Sequence, residues 1–306
     1  MKSRLILFII LLCTGLLFVY ALFHKSVSTR YETTLAPFYQ IMGKPAMLAS
    51  QSVSKILNIK DEDEKSIGQE LRKNYIYYVN VDDPNYKYLN SLIKDLSIYK
   101  TKDFAYEVYI LDSGNPNAFA IPGGIIFVTS GLLSILEDES EIISILLHEM
   151  AHIEKNHCIE SVRFQLAAKK IKAMPLGELA DFIYRLTLKH SYSKTQEDEA
   201  DSYAFSILKE TDYDIYGVSN AFAKLEKTHL DTETRKAHIL NEYFQSHPHI
   251  TLRKDKFYEK AKFEIKLNPN KVRYKGQENF SNKIPLSDKK FNYEKMNHID
   301  SDSLLE

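Results

Sequence analysis

The sequence predicts an α+β protein, mainly helical with a small β-sheet, behind one hydrophobic N-terminal helix. Three observations carry that expectation. Apolar residues recur at three and four from Glu137 to about Cys158, short β-rich runs flank a Pro-Gly-Gly corner at 122–124, and residues 5–23 are almost uniformly apolar.

Lys2 and Arg4 precede the run from Leu5 to Phe23, which only Thr14 and Gly15 interrupt. As a helix it spans about 28 Å, the thickness of a bilayer's hydrocarbon layer. It reads as a retained membrane anchor through residues 5–23, or as a signal peptide with Val19-Tyr20-Ala21 near the cleavage site. In a bacterial cell either reading places the body on the extracytoplasmic face of the inner membrane or in the periplasm. Leu12 makes Cys13 a poor lipidation site. Cys158 is the one cysteine beyond the run, so a disulfide framework is not expected. The 40 basic and 41 acidic side chains nearly cancel. No concentrated positive face for nucleic acid is expected from that balance.

Residues 1–30 form the predicted signal or anchor segment, 31–253 the main domain and 254–306 an extension. Up to residue 110 the chain reads as mostly helical, with interruptions at Pro37, Gly43-Lys44-Pro45 and Pro84. Asp61 to Tyr77 is a helix whose acidic start suits its dipole. Phe104 to Leu111 alternates apolar and polar positions, which predicts a strand. Asp112 to Pro116 is a turn, Ala118 to Ile121 a short strand, and Pro122-Gly123-Gly124 a corner into Ile125 to Val128. Ile142, Ile143, Leu146, Leu147, Met150 and Ile153 then define an amphipathic helix. Residues 159–189 look helical, broken near Pro175-Leu176-Gly177. Two more helices follow, Thr195 to Lys209 and Val218 to His229. Between Arg253 and Lys295 there are 13 basic and 6 acidic residues with no sustained period, so this extension is expected to be loosely ordered.

The chemistry lies in His148-Glu149-Met150-Ala151-His152, an HExxH pattern inside the predicted amphipathic helix. Residues four apart share a helix face, so both imidazoles can reach one metal ion, and Glu149 sits beside it. Two neutral imidazoles leave most of a Zn2+ charge uncompensated, which acidifies water there and lets Glu149 take its proton. A hydrolytic zinc needs a third protein ligand and one open position. The next acidic cluster is Glu197-Asp198-Glu199-Ala200-Asp201. Glu197 and Asp201 share a face, so one can ligate while the other orients an imidazole. Spacing alone leaves Glu199 open as the ligand. His157, nine beyond His148, reads as a packed or helix-end histidine.

These blocks resemble the M48 family of zinc metallopeptidases. The resemblance runs from about Asp61 to Arg253. It rests on Asn117-Ala118-Phe119-Ala120-Ile121-Pro122-Gly123-Gly124, on Leu147 to His152 with Asn156-His157, on Tyr192 to Asp201, and on Ser246-His247-Pro248 with Arg253. It implies a zincin-like domain with a small sheet at the active-site cleft and one Zn2+ per chain on His148, His152 and Glu197. It also implies Asp201 in support and Arg253 against Glu197, Asp201 or substrate. His247 is implied at the cleft, as a gate or oxyanion donor, and Tyr192 is a second candidate donor. Gly124, Ile125, Ile126 and Phe127 are expected in or beside the edge strand that receives substrate. Lys194 stands where relatives often have arginine, which keeps the charge and loses the planar fork. The implied activity is endopeptidase cleavage of unfolded or misassembled polypeptides. A selective processing protease and a zinc-stabilised chaperone are the alternatives.

Overall fold

The computed structural model describes residues 61–75, 80–160, 191–233, 243 and 246–296, all within the unit Leu57–Glu306. The expected membrane or signal helix at 5–23, and all but the first two residues of the expected helical stretch 159–189, lie outside these residues. Among the described residues no helix is long and apolar enough to cross a membrane.

The architecture is a mainly helical domain with small sheets. Helices α1 (Asp61–Tyr75) and α2 (Pro84–Leu96) precede strands β1 (Glu107–Leu111), β2 (Ala118–Ile121) and β3 (Ile125–Thr129). Helices α3 (Ser130–Ile135), α4 (Glu139–Glu154), α5 (Lys194–Glu210), α6 (Gly217–Glu233) and α7 (Ile250–Leu267) follow. Strand β4 (Arg273–Tyr274), helix α8 (Gln277–Asn282) and strand β5 (Lys295–Met296) complete the described part.

The first sheet has the order β1-β3-β2, with β1 parallel and β2 antiparallel to β3. Its side chains divide by the period of two. Val108, Ala118, Ala120, Ile126 and Val128 enter the main core with the helices, while Tyr109, Phe119, Ile121, Ile125 and Phe127 pack with Ile67 and Leu71 of α1. A strand covered on both faces has no polar side, which is why β3 reads as an unbroken apolar run. The β2–β3 corner needs its glycines. Gly123 and Gly124 have φ of 90° and 89°, and a Cβ on Gly123 would lie 2.4 Å from Gly68 Cα.

Of the two alternatives expected, this topology puts Ile125, Ile126 and Phe127 beside an edge strand and not in it. β3 is the middle strand, paired on both sides and buried on both faces, so Ile125, Ile126 and Phe127 have no free backbone edge for a substrate. Gly124 O is likewise taken, by Glu107 N at 2.9 Å. The edge beside the metal helix belongs to β2. Thr129 N donates to Asn117 O, which puts Asn117, Phe119 and Ile121 in the pairs bonded to β3. The backbone groups of Ala118 and Ala120 therefore turn to the outer edge. Cys158 Sγ approaches that edge, 3.5 Å from Ala120 O.

Residues 254–296 depart from the expected loose extension. α7 runs for 18 residues, and Ile250, Arg253, Phe257, Ala261 and Glu264 form its buried face. Further on, the chain closes over the start of α4. Glu139 N donates to Gly276 O and Ser140 N to Lys275 O, while Glu139 Oε1 accepts from Leu286 N at 2.8 Å. Tyr213 and Tyr88 also donate to the buried Glu139 carboxylate, Tyr88 at 2.6 Å.

Candidate metal centre

α4 starts at a capping box, in which Asp138 accepts from Glu141 N and Glu141 reaches back to the cap backbone. All sixteen of its residues are buried. His148 and His152, one turn apart, point their Nε2 atoms at a common centre, 3.1 Å from each other. α5 packs alongside. Ser193 caps it in a second capping box with Gln196, so Glu197 enters on the first turn and Asp201 one turn later. Ser246 O accepts from Tyr192 N at 3.0 Å, which ties the segment carrying His247 to the start of α5.

The result is a buried cluster of His148, His152, Glu197 and His247 whose donor atoms all lie within 4.8 Å of one another. His247 Nδ1 is 3.3 Å from His148 Nε2 and 3.0 Å from Glu197 Oε1. Glu197 Oε1 is 3.5 Å from His152 Nε2. Nitrogen and oxygen donors at about 2.1 Å from one tetrahedral ion are about 3.4 Å apart, so these spacings fit a single Zn2+.

The charges fit as well. Glu149, Glu197 and Asp201 are buried carboxylates at the site, and the buried guanidinium of Arg253 pairs with the last two. The surplus of negative charge is costly in a low-dielectric interior and suits a dication. Neither oxygen of Glu149 makes a hydrogen bond, and Oε1 lies 3.5 Å from His247 Nε2. Burial, with His148 beside it, pushes the His152 imidazole well below its usual pKa, which keeps the ring neutral with one nitrogen lone pair available. Burial alone would lower His247 too, but Glu197 and Glu149 raise it above the usual value. Burial opposes ionisation of Glu197 and Asp201. The charges beside them prevail, His247 and Arg253 for Glu197 and above all Arg253 for Asp201, and hold both below the ordinary carboxylate range.

Arg253, on the first turn of α7, forks onto Asp201 through Nε and Nη2 at 2.8 and 2.7 Å and also pairs with Glu197. Asp201 Oδ1 lies 2.9 Å from His148 Nδ1. The structure thus brings His148, Glu149, His152, Glu197, Asp201, His247 and Arg253 into one constellation. Tyr192 meets the cluster through its ring, which stacks on His152 with centroids 3.7 Å apart, and its hydroxyl lies 3.4 Å from Cys158 Sγ. His157, read from sequence as a packed or helix-end histidine, also contacts the constellation, its Nδ1 3.1 Å from His152 Nδ1. Glu199, which spacing left open as the ligand, lies outside the four-donor cluster and reaches His157 Nε2 at 3.0 Å.

The pattern described for Peptidase family M48 matches residues 86–259, more than half of the chain and all of this constellation. The chain belongs to peptidase family M48. Among relatives, this M48 chain is 27% identical over 138 residues to mitochondrial metalloendopeptidase OMA1 of Schizosaccharomyces pombe, covering 43% of the chain and 41% of the relative. It is 27% identical over 162 residues to metalloprotease YcaL of Escherichia coli, covering 48% and 58%. It is 23% identical over 232 residues to the beta-barrel assembly-enhancing protease of Escherichia coli, covering 63% and 47%. The chain thus spans 41 to 58% of the length of these relatives.

Proposed function

We propose that this M48 chain is a zinc-dependent endopeptidase that cleaves extended segments of unfolded or misassembled polypeptides. The observation that carries the reading is the buried Glu149 carboxylate, which makes no hydrogen bond and stands beside the four-donor cluster.

Zn2+ held by His148, His152 and Glu197 would polarise the scissile carbonyl and acidify water. Glu149 removes a proton from water as its oxygen bonds to the carbonyl carbon, and returns it to the amine when the C–N bond breaks. Asp201 fixes His148 through Nδ1, and Arg253 holds Asp201 and Glu197 in register. His247 can offer a fourth donor to the same centre, so in this reading it would have to give way to water for catalysis.

Substrate would join the sheet along β2. The outward backbone groups of Ala118 and the N–H of Ala120 can bond to an extended peptide whatever its side chains, with a peptide amide taking the place of Cys158 Sγ at Ala120 O, which favours unfolded clients over one defined sequence. Tyr192 acts in this reading as a support for the face of His152. The apolar run at residues 5–23 supports an extracytoplasmic, membrane-linked location. The name of one relative ties that protein to β-barrel assembly, and misassembled proteins are clients of the same kind.

The test is cleavage of casein by the purified chain with its zinc content measured, beside Glu149→Gln. Zinc-dependent cleavage that disappears in the variant while zinc is retained is the expected result. Stoichiometric zinc with no cleavage by either form would favour the chaperone reading.

A further inference from the structure

The two histidines of α4 are held in different ways. His148 is braced directly, its Nδ1 2.9 Å from Asp201, which is itself buried and forked by Arg253. His152 has no carboxylate at that position. Its Nδ1 faces His157 Nδ1 at 3.1 Å, and His157 Nε2 lies 3.0 Å from Glu199 Oε2. His157 is 2% exposed, whereas the Glu199 side chain is 54% exposed.

Two imidazole nitrogens in contact need one proton between them, and the cluster decides which ring carries it. His152 turns Nε2 toward His148 and Glu197, where a metal-binding nitrogen must present a lone pair. Its proton therefore sits on Nδ1 and is donated to His157 Nδ1. With that nitrogen accepting, His157 carries its own proton on Nε2 and donates it to Glu199. Each step fixes the next, and only one set of tautomers satisfies all three groups.

We infer that Glu199 and His157 are positioning residues, a hydrogen-bonded chain that fixes the tautomer and ring orientation of His152 as a metal ligand. The inference rests on the metal-site reading above. His157 is not itself a donor to the cluster, because its contact is with the side of the His152 ring opposite Nε2. The backbone is shaped for this contact. Asn156, with φ of 66°, turns the chain after α4 so that the next side chain folds back toward His152. Asparagine tolerates the left-handed region better than most residues. Tyr192 covers one face of the same imidazole, so His152 is fixed by a ring on its face and a proton on its edge.

The experiment measures zinc dissociation constants by chelator competition on the full chain, with melting of the metal-free forms as a check on folding. His157→Ala should weaken zinc by about 10- to 100-fold. His157→Asn keeps an oxygen able to accept from His152 Nδ1 and should restore affinity to within about threefold of wild type. Glu199→Ala should weaken zinc in the wild-type background and have no further effect beside His157→Asn or His157→Ala. The inference is overturned if His157→Ala binds zinc like the wild type, or if the Glu199 effect persists undiminished beside His157→Asn. Should His157→Ala not fold, that last comparison decides alone. A wild-type chain that binds no zinc would instead remove the metal-site reading itself, a result no His157 variant is needed to obtain.

Discussion

Arg253 presents Nε and Nη2 to the two carboxylate oxygens of Asp201 at 2.8 and 2.7 Å, and the same Asp201 holds His148 Nδ1 at 2.9 Å. A residue of α7 thereby sets the angle of an imidazole on α4 through a carboxylate on α5. Arg253→Met leaves Glu197 and Asp201 buried without their cation. The metal-free variant should lose about 3–5 kcal/mol of stability in denaturant unfolding. A loss below about 1 kcal/mol would show that the fork is not what offsets those carboxylates.

His247 stands in the fourth donor position and is also the expected gate. Replacing it should separate metal retention from turnover. His247→Ala should bind zinc about tenfold more weakly, roughly 1.4 kcal/mol, and cleave casein faster than wild type at saturating zinc. Slower cleavage at full zinc occupancy would make His247 a participant in the reaction and not a brake.

A peptide that joins β2 by backbone bonding directs every second amide to the strand. A scan of single N-methyl amides through a cleaved peptide should therefore block cleavage with a period of two near the scissile bond. Equal tolerance at all positions would argue against strand addition at Ala118 and Ala120.

Burial pushes the Glu139 carboxyl up to about 7 from 4.5, despite the donors Tyr213, Tyr88 and Leu286 N–H. The folded chain then binds a proton that the unfolded chain releases. Its contribution to stability is complete below pH 4.5 and is lost as pH rises to about 7. The loss is of order 3 kcal/mol. In Glu139→Gln, the fall in stability across that interval should be smaller by this amount, measured by urea unfolding at a series of pH values. Parallel profiles for the two proteins would mean that Glu139 is ionised throughout.

Much of the centre could be read from spacing, because two helices each deliver a pair of side chains one turn apart. His148 with His152 needed only the period of the helix; the same period puts Glu197 and Asp201 on one face, but the family resemblance was needed to prefer Glu197 to Glu199. His247 and Arg253 came from family resemblance, since nothing local ties them to residues fifty or a hundred positions away. The link from His157 to Glu199 depends on the left-handed turn at Asn156, which a helical period does not register. The central place of β3 was hidden for another reason. Strand order is a long-range property, and an all-apolar strand looks alike at an edge or in the middle. α7 escaped notice because charged Arg253 and Glu264 occupy its inward face while Leu252, Phe263 and Leu267 point outward. Its period of three and four is real, but it is not carried by hydrophobicity.

The closure of residues 275–286 over Glu139 also gives the chain an order of assembly. During synthesis the catalytic helix is made well before the segment that receives its first amide hydrogens. Glu139 and Ser140 have no Gly276 or Lys275 to bond until about 135 further residues have been made. A chain shortened before residue 275 would therefore carry His148 and His152 on a helix whose first two amides lack these acceptors.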